Sequence, residues 1–372
     1  MAGSSDVIVV GGGLVGSAVA YGLAREGASV TILDEGDVAF RASRGNFGLV
    51  WVQGKGDGMP DYASWTRRSK DLYSGFAEGM LEHNGRDIEL KQEGGLELCL
   101  GEESFRENEE EIRRMHNQPG VGENDRRMID ADEVRRIMPF VGPEVTGASF
   151  SPHDGHVNPL YLLRSLHAAA QQLGVRYVSG ARTLSIAKDG DGFRAETGAG
   201  TFRGGKLVIA AGIANKWLAP MVGLDIPVKP NRGHILITER MQPIMPMLLV
   251  NARQTADGTI NFGNSHEDAG YDTSINPTKL GEIARNVVRY FPILKNARIV
   301  RTWSALRVMA PDGFPIYRES ETAPGAFSIS CHSGVTLAAA HALDLAPTIL
   351  KGGFNERFAA FSSERFHVSP AA

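Results

Sequence analysis

The sequence predicts an α/β protein in which a dinucleotide-binding domain is interleaved with a second, α+β domain. Three observations carry this. Gly11, Gly13 and Gly16 stand between an apolar strand and a helical repeat, and Asp34 closes the next strand. Strand and helix units of the same kind return in the middle of the chain and again near 326–350. Between them, residues 226–305 are β-rich. Such alternation implies two domains, each assembled from separate stretches.

In order along the chain, residues 6–35 read strand, glycine turn, helix, strand. DVIVV and SVTILD are the strands, and Val15, Val19, Gly22 and Leu23 give the intervening helix its spacing. Residues 41–60 hold too much glycine for a helix and read as a structured loop. Residues 61–140 are charged and mostly helical, with a strand-like break at GGLELCL. Within them, 102–136 is rich in spaced charges, either a solvated face with i,i+4 ion pairs or a docking surface for another subunit. PLYLLRSLHAAAQQLGVRYVSG is a proline-started helix followed by a strand, and LVIAAG at 207–212 is a buried-strand run. HILITE, TINFGN and RIVRTW are strands, with a helix around KLGEIARNVVRYF. The tail, AFSISCHSGVTLAAAHALDLAPTIL, is strand, turn and helix again.

The 372 residues, 42% hydrophobic and 22% charged, allow one large or two intertwined domains. A net charge of −4 gives no reason to expect nucleic acid or an acidic membrane surface. Two cysteines, Cys99 and Cys331, make neither a disulfide framework nor a zinc site, so a reducing cytoplasm fits best. The first residues lack a basic n-region, and no run reaches the roughly 18 apolar residues of a membrane span.

The glycine turn has a definite physical use. Gly11 permits the tight turn, Gly13 lets backbone approach a pyrophosphate, and Gly16 allows helix and strand to pack closely. The helix that follows points N–H donors and a positive dipole end at the phosphates, with Leu14 and Val15 in its first turn. Asp34, with Glu35 beside it, can accept hydrogen bonds from a ribose hydroxyl pair. This fingerprint serves FAD and NAD alike, but a nicotinamide enzyme would normally complete one contiguous nucleotide domain in its first half.

The discontinuous pattern, with VIVVGGGLVGSAVAYGLAREGASVTILDEG, RASRGNFGLV, DGHVNPLYLLRSLHAAA, LVIAAGIANKWLAP, VKPNRGHILIT, WSALRVMAPDGFPIY and CHSGVTLAAA, resembles the FAD-dependent D-amino-acid oxidase superfamily from end to end. The resemblance implies a Rossmann-type FAD-binding domain (1–50, 150–215 and 306–372) interleaved with an α+β substrate domain (51–149 and 216–305) carrying a large mixed or antiparallel sheet. It implies that Arg41, Ala42, Ser43, Gly45, Asn46, Phe47, Gly48 and Leu49 wrap the pyrophosphate, ribityl chain and ring edge. Thr183 meets the adenine through its backbone, and Ala211 and Gly212 end the strand beside the cofactor. The turn His332, Ser333, Gly334, Val335, Thr336 opens a helix facing the flavin pyrimidine.

Arg307 matches the family arginine that clamps a substrate carboxylate, so that a C–H or N–H bond faces flavin N5. The bland alternative is a surface or core-edge arginine. His266 and His234 are candidates for tuning the amine proton or for lining the rim. Asn46 joins Arg307 and His266 in the implied catalytic set, and Trp51, His234 and His266 join Arg307 around the substrate. His153 and His156 read as a turn rather than a metal site. Cys331 reads as a small buried residue. Sarcosine-oxidase relatives carry a flavin-linking cysteine near the arginine segment. Val308 and Met309 stand there in this chain, so non-covalent FAD is expected.

Within the superfamily, GNFGLVWVQGKGDGMPDYASWT and HNQPGV are most similar to the β subunits of bacterial octopine and nopaline oxidoreductases, relatives of the D-hydroxyproline dehydrogenase and hydrogen cyanide synthase subunits. That likeness implies hydride transfer from a secondary-amine amino acid, giving an imine that hydrolyses to an amino acid and a 2-oxo acid. It also implies an FAD-containing α subunit, in some assemblies a small iron–sulfur protein, and admits FMN at a subunit interface. The chain has no four-cysteine motif, so an iron–sulfur cluster belongs to a partner. Three readings stand: an opine dehydrogenase subunit, with a D-hydroxyproline dehydrogenase subunit close by; a free-standing D-amino-acid, glycine or sarcosine-type oxidase; and a flavin-binding assembly subunit without chemistry.

Overall fold

In the computed structural model, which describes residues 4–36, 42–120, 125–354 and 356–367, the apolar run near the N-terminus forms the strand Ser5–Val10 inside a sheet covered on both faces. Side chains alternate along a strand, so Val7 and Val9 enter one core cluster while Ile8 and Val10 enter another. From one edge the sheet runs Ile316–Glu319, Ala326–Ser330, Gly200–Ile209, Ser5–Val10, Val30–Leu33, Arg176–Val178. All pairs are parallel except that at Ile316–Glu319. The hairpin Thr183–Asp189 and Gly192–Thr197 extends antiparallel from Gly200–Ile209.

Helices Leu14–Arg25 and Pro159–Gln172 and the helical segment 338–350 pack on the Val7 and Val9 face. The second helix begins where the sequence places it. Pro159 occupies its first turn, and Asn158 Oδ1 accepts from the N–H groups of Leu160 and Tyr161. Helix Pro60–Asn84 belongs to the same core: Tyr62, Trp65, Tyr73, Phe76 and Met80 are buried there. This helix lies in the expected substrate-domain stretch 51–149, and its aromatic stripe packs against the nucleotide sheet.

Leu49–Val50 pairs with Gly155–His156 in a two-stranded sheet, and the other strands form two four-stranded sheets with a shared core. One is Ala252–Gln254, Ile260–Phe262, Lys229–Thr238, Ile299–Met309, all antiparallel. The other is Leu248–Leu249, Gly95–Leu100, Val145–Ser151, Arg127–Asp130. Leu96, Leu98, Ile129, Leu236, Ile260, Phe262 and Phe291 meet between them. The long pair Lys229–Thr238 and Ile299–Met309 sets Asn231 opposite Arg307 and Gly233 opposite Ala305, which brings the arginine segment to the edge of the nucleotide domain. Among the described residues no helix is long and apolar enough to cross a membrane.

Candidate active site

A cavity of about 830 Å³ runs from the glycine turn to Arg307 and the Trp51–Lys55 loop. At its nucleotide end, Gly11 has φ +104°, and a Cβ there would come within 2.5 Å of the Ala210 carbonyl oxygen. Gly16 stands behind the wall, where a Cβ would meet the Gly11 carbonyl. The Leu14–Arg25 helix starts at Gly13 with no side-chain cap and no acidic residue in its first turn. Its dipole end is thus left for an anion. Asp34, which lines the cavity, also braces the turn: Oδ2 accepts from Gly12 N–H at 2.7 Å and Oδ1 from Gly36 N–H at 3.0 Å. Ser43 Oγ accepts from Leu14 N–H at 2.9 Å, tying the second loop to the first. Glu35, Ala42, Ala211 and Gly212 line this half with Gly13, Val15 and Thr183. Thr183 Oγ1 is buried without a hydrogen-bond partner among the described residues. An orphaned hydroxyl, a helix start whose N-cap glycine supplies no side chain and a glycine-lined wall suit a dinucleotide.

The loop after Ala42 is held by its own side chains. Asn46 Nδ2 donates to Ser43 O at 3.0 Å, and its Oδ1 accepts from Gly48 N–H at 2.7 Å. The expected catalytic Asn46 thus lines the cavity with its amide engaged in folding the loop. Gly48 takes φ +83°, and a Cβ there would stand 2.1 Å from the Val157 carbonyl oxygen, so it supports the wall from behind. Gly45 abuts Ala305, and Phe47 packs on Gly263. Arg41 lies outside the described residues.

Opposite this loop, His332–Thr336 is gripped by helix Pro60–Asn84. Tyr73 Oη donates to Val335 O at 2.6 Å, Ser69 Oγ to Thr336 O at 2.6 Å and Tyr62 Oη to Ser333 Oγ at 2.7 Å. Trp51 N–H donates to Thr336 Oγ1, which in turn donates to Leu49 O. Leu49, Trp51 and His332 through Thr336 all line the cavity. His332 is held well below the usual imidazole range by burial, then by the Lys55 charge. Cys331 is pushed up to about 12 by burial, so it is a thiol.

Arg307 Nη1 donates to Ser265 O at 2.8 Å and to Asn231 Oδ1 at 3.2 Å. Its guanidinium lies across Gly233, where a Cβ would come within 2.3 Å of Nη1. Burial alone lowers its basicity, and no carboxylate among the described residues pairs with it. His266 shares the Asn231 amide, with Nδ1 at 3.0 Å from Oδ1, and is shifted down by burial, then by Arg307. His234 lines the cavity, with its ring engaged in the surrounding scaffold. Nε2 accepts from Asn276 N–H at 3.0 Å, and Nδ1 faces Ser265 Oγ and Glu267 at 3.1 and 3.2 Å, so its side chain is fully buried in scaffolding. Arg232 fixes the same Glu267 through two nitrogens at 3.2 Å. His153 and His156 face separate partners, Asp125 and Arg253, and no metal-binding group of His, Cys, Asp or Glu occurs among the described residues.

The structure adds Lys55, which sequence reasoning missed. Its ammonium stands on the cavity wall and donates to Ser333 Oγ at 3.0 Å. The sequence offers only GKGDG around it, the signature of an exposed turn. Asp154 decides otherwise, because its Oδ1 accepts from Val52 and Gln53 N–H and its Oδ2 from Gln53 Nε2, folding this loop inward. Asp154 is itself raised to about 7, chiefly by burial.

Comparison with known proteins agrees with this geometry. Residues 6–347 match the family model described as "DAO: FAD dependent oxidoreductase". The chain is 39% identical to an opine oxidase subunit of Agrobacterium tumefaciens (strain Ach5), over 98% of this chain and 99% of that protein. It is 38% identical to the corresponding opine oxidase subunit of Rhizobium meliloti, with the same coverage. Its fold superposes on glycine oxidase from Geobacillus kaustophilus with a TM-score of 0.90 at 24% identity, over 98% of this chain and all of that one. The chain belongs to the DAO family of FAD-dependent oxidoreductases, and within it is an amine oxidoreductase.

Proposed function

We propose that this chain is the catalytic β subunit of a hetero-oligomeric dehydrogenase that oxidises an opine, a secondary amine joining an amino acid to a second carboxylate-bearing arm. The observation that carries the reading is Arg307, a guanidinium on the cavity wall with two neutral acceptors and, among the described residues, no acid partner. A carboxylate placed on its open edge fixes the amine carbon in one orientation. FAD, held without a covalent link, supplies the two-electron acceptor for the hydride that leaves that carbon. The glycine turn, the 42–49 loop and the 332–336 turn hold it, and Thr183 and Asp34 serve the adenosine half.

Oxidation needs the amine neutral, and the residues support that. Asn231 Oδ1 accepts from Arg307, which makes His266 Nδ1 the other donor to it and leaves Nε2 as an acceptor at the rim. Because burial and Arg307 keep His266 below the ordinary imidazole range, it is neutral near pH 7, and its Nε2 can accept a hydrogen bond that orients the amine. Loss of hydride and proton leaves an imine, which water splits into an amino acid and a 2-oxo acid. Both opine oxidase relatives are named as one subunit of a larger enzyme. Those names support an assembly of more than one kind of subunit, and in this reading an FAD-containing α subunit, any iron–sulfur cluster and an interfacial FMN belong to that assembly.

Purified protein, alone and with co-expressed partner chains, is mixed anaerobically with octopine, nopaline, D-alanine, sarcosine and D-hydroxyproline while flavin absorption is followed. Bleaching by an opine, with electron release to an acceptor only in the complex, is the expected outcome. Bleaching by D-alanine or sarcosine and by no opine overturns the opine reading in favour of a free-standing oxidase.

A further inference from the structure

The cavity contains a second cation that the carboxylate clamp does not use. Lys55 and Arg307 line the same space and are near enough for each charge to count in the other's surroundings: Arg307 works against the protonation of Lys55, and both work against that of His332. Neither has a carboxylate partner among the described residues. Lys55 gives one proton to Ser333 Oγ at 3.0 Å, and an ammonium carries three. Ser333 cannot offset the charge, since its oxygen already accepts from Tyr62 Oη at 2.7 Å and its own proton is directed to His332 Nδ1 at 3.3 Å. Glu97 and Glu111, further along the wall, are turned toward Arg126 at 3.6 and 2.9 Å. Asp154 is occupied by the Val52 and Gln53 donors.

Two cations lining one cavity repel each other, and although the Tyr62 ring at 5.9 Å from the Lys55 ammonium and the Asp154 charge offset part of that, an anion bound between them relieves it further. A substrate with one carboxylate satisfies only Arg307. We infer that Lys55 is a specificity-determining residue that binds the second carboxylate of a dicarboxylic secondary amine, so that Arg307 and Lys55 hold the two arms on either side of the reacting nitrogen. The inference rests on the amine-oxidation reading above but not on which opine is oxidised. It separates this chain's substrates from simple amino acids by charge at the second arm, not by size.

The test uses FAD-loaded protein, with any co-purifying subunits, and ligands that cannot be oxidised. Diglycolate has two carboxylates about an ether oxygen, and methoxyacetate lacks one of them. Binding to each is measured by perturbation of the flavin spectrum in wild type, Lys55→Met and Lys55→Arg. Wild type should bind diglycolate at least about tenfold tighter than methoxyacetate, the usual worth of a charge-assisted hydrogen bond. Lys55→Met should erase that difference while leaving methoxyacetate affinity unchanged, and Lys55→Arg should restore most of it. Equal affinity of wild type for the two ligands overturns the inference. So does a Lys55→Met variant that weakens both ligands equally, or that alters the flavin spectrum before ligand is added, since Lys55 would then serve the cofactor. Because no turnover is needed, these results stand apart from whether an opine bleaches the flavin.

Discussion

The guanidinium of Arg307 rests on Gly233, and a methyl group there would sit 2.3 Å from Nη1 and 2.6 Å from the central carbon. No rotamer of an alanine avoids such an overlap, because the Cβ position is fixed by the backbone. Gly233→Ala should therefore displace the arginine while the strand pairing of Lys229–Thr238 with Ile299–Met309 persists. Activity should be lost with an unchanged circular dichroism spectrum. Arg307→Ala removes the same group directly, and kcat/KM should fall by about thirtyfold or more, mainly through KM. Unchanged kinetics would remove the carboxylate clamp from the mechanism. The arginine was legible in WSALRVMAPDG, but Gly233 was not, because nothing in PNRGHILIT indicates what lies across that glycine.

Helix Pro60–Asn84 links cofactor site and core. Its charged surface reads in sequence as part of the substrate domain, but its buried stripe meets the nucleotide sheet, and its hydroxyls hold the 333–336 turn. Tyr73 is the clearest case, since its ring is buried and Oη donates to Val335 O at 2.6 Å. Tyr73→Phe keeps the ring and removes the shorter of two hydrogen bonds to the Val335 carbonyl, the other coming from Ala338 N–H at 3.1 Å, which should cost about 0.5–1.5 kcal/mol in thermal or denaturant unfolding and loosen flavin retention. In the 42–49 loop, Gly48→Val should lower the flavin-to-protein ratio after purification. It forces a branched residue into φ +83° and against the Val157 carbonyl. The loop's position was legible from its small residues, whereas the role of Asn46 as its internal brace needed the folded backbone.

Across the whole molecule, the buried cations set stability against function. Lys55 is lowered from 10.5 to about 8, first by burial and also by Arg307, while Cys331 and Asp154 act the other way. The unfolded chain therefore binds a proton at this site that the folded chain has given up between about pH 8 and 10.5. Below about 8 the folded state carries the full penalty, and stability rises as pH climbs through that window. Lys55→Met should raise the melting temperature of ligand-free protein at about pH 7 by a few degrees, with the gain fading toward pH 10.5. A melting temperature unchanged at neutral pH would show that the charge is solvated. The sequence by itself determined the dinucleotide fold, the two-domain interleaving and the candidate clamp at Arg307. Those rest on local patterns: glycine spacing, strand alternation and a motif contiguous in the chain. Only the tertiary structure decided that the His234 ring is held by Asn276, Ser265 and Glu267, that Pro60–Asn84 packs in the nucleotide core, and that Lys55 and Arg307 line one cavity. Burial, charge balance and proximity join segments far apart in the chain, and they come into being only when the chain has folded.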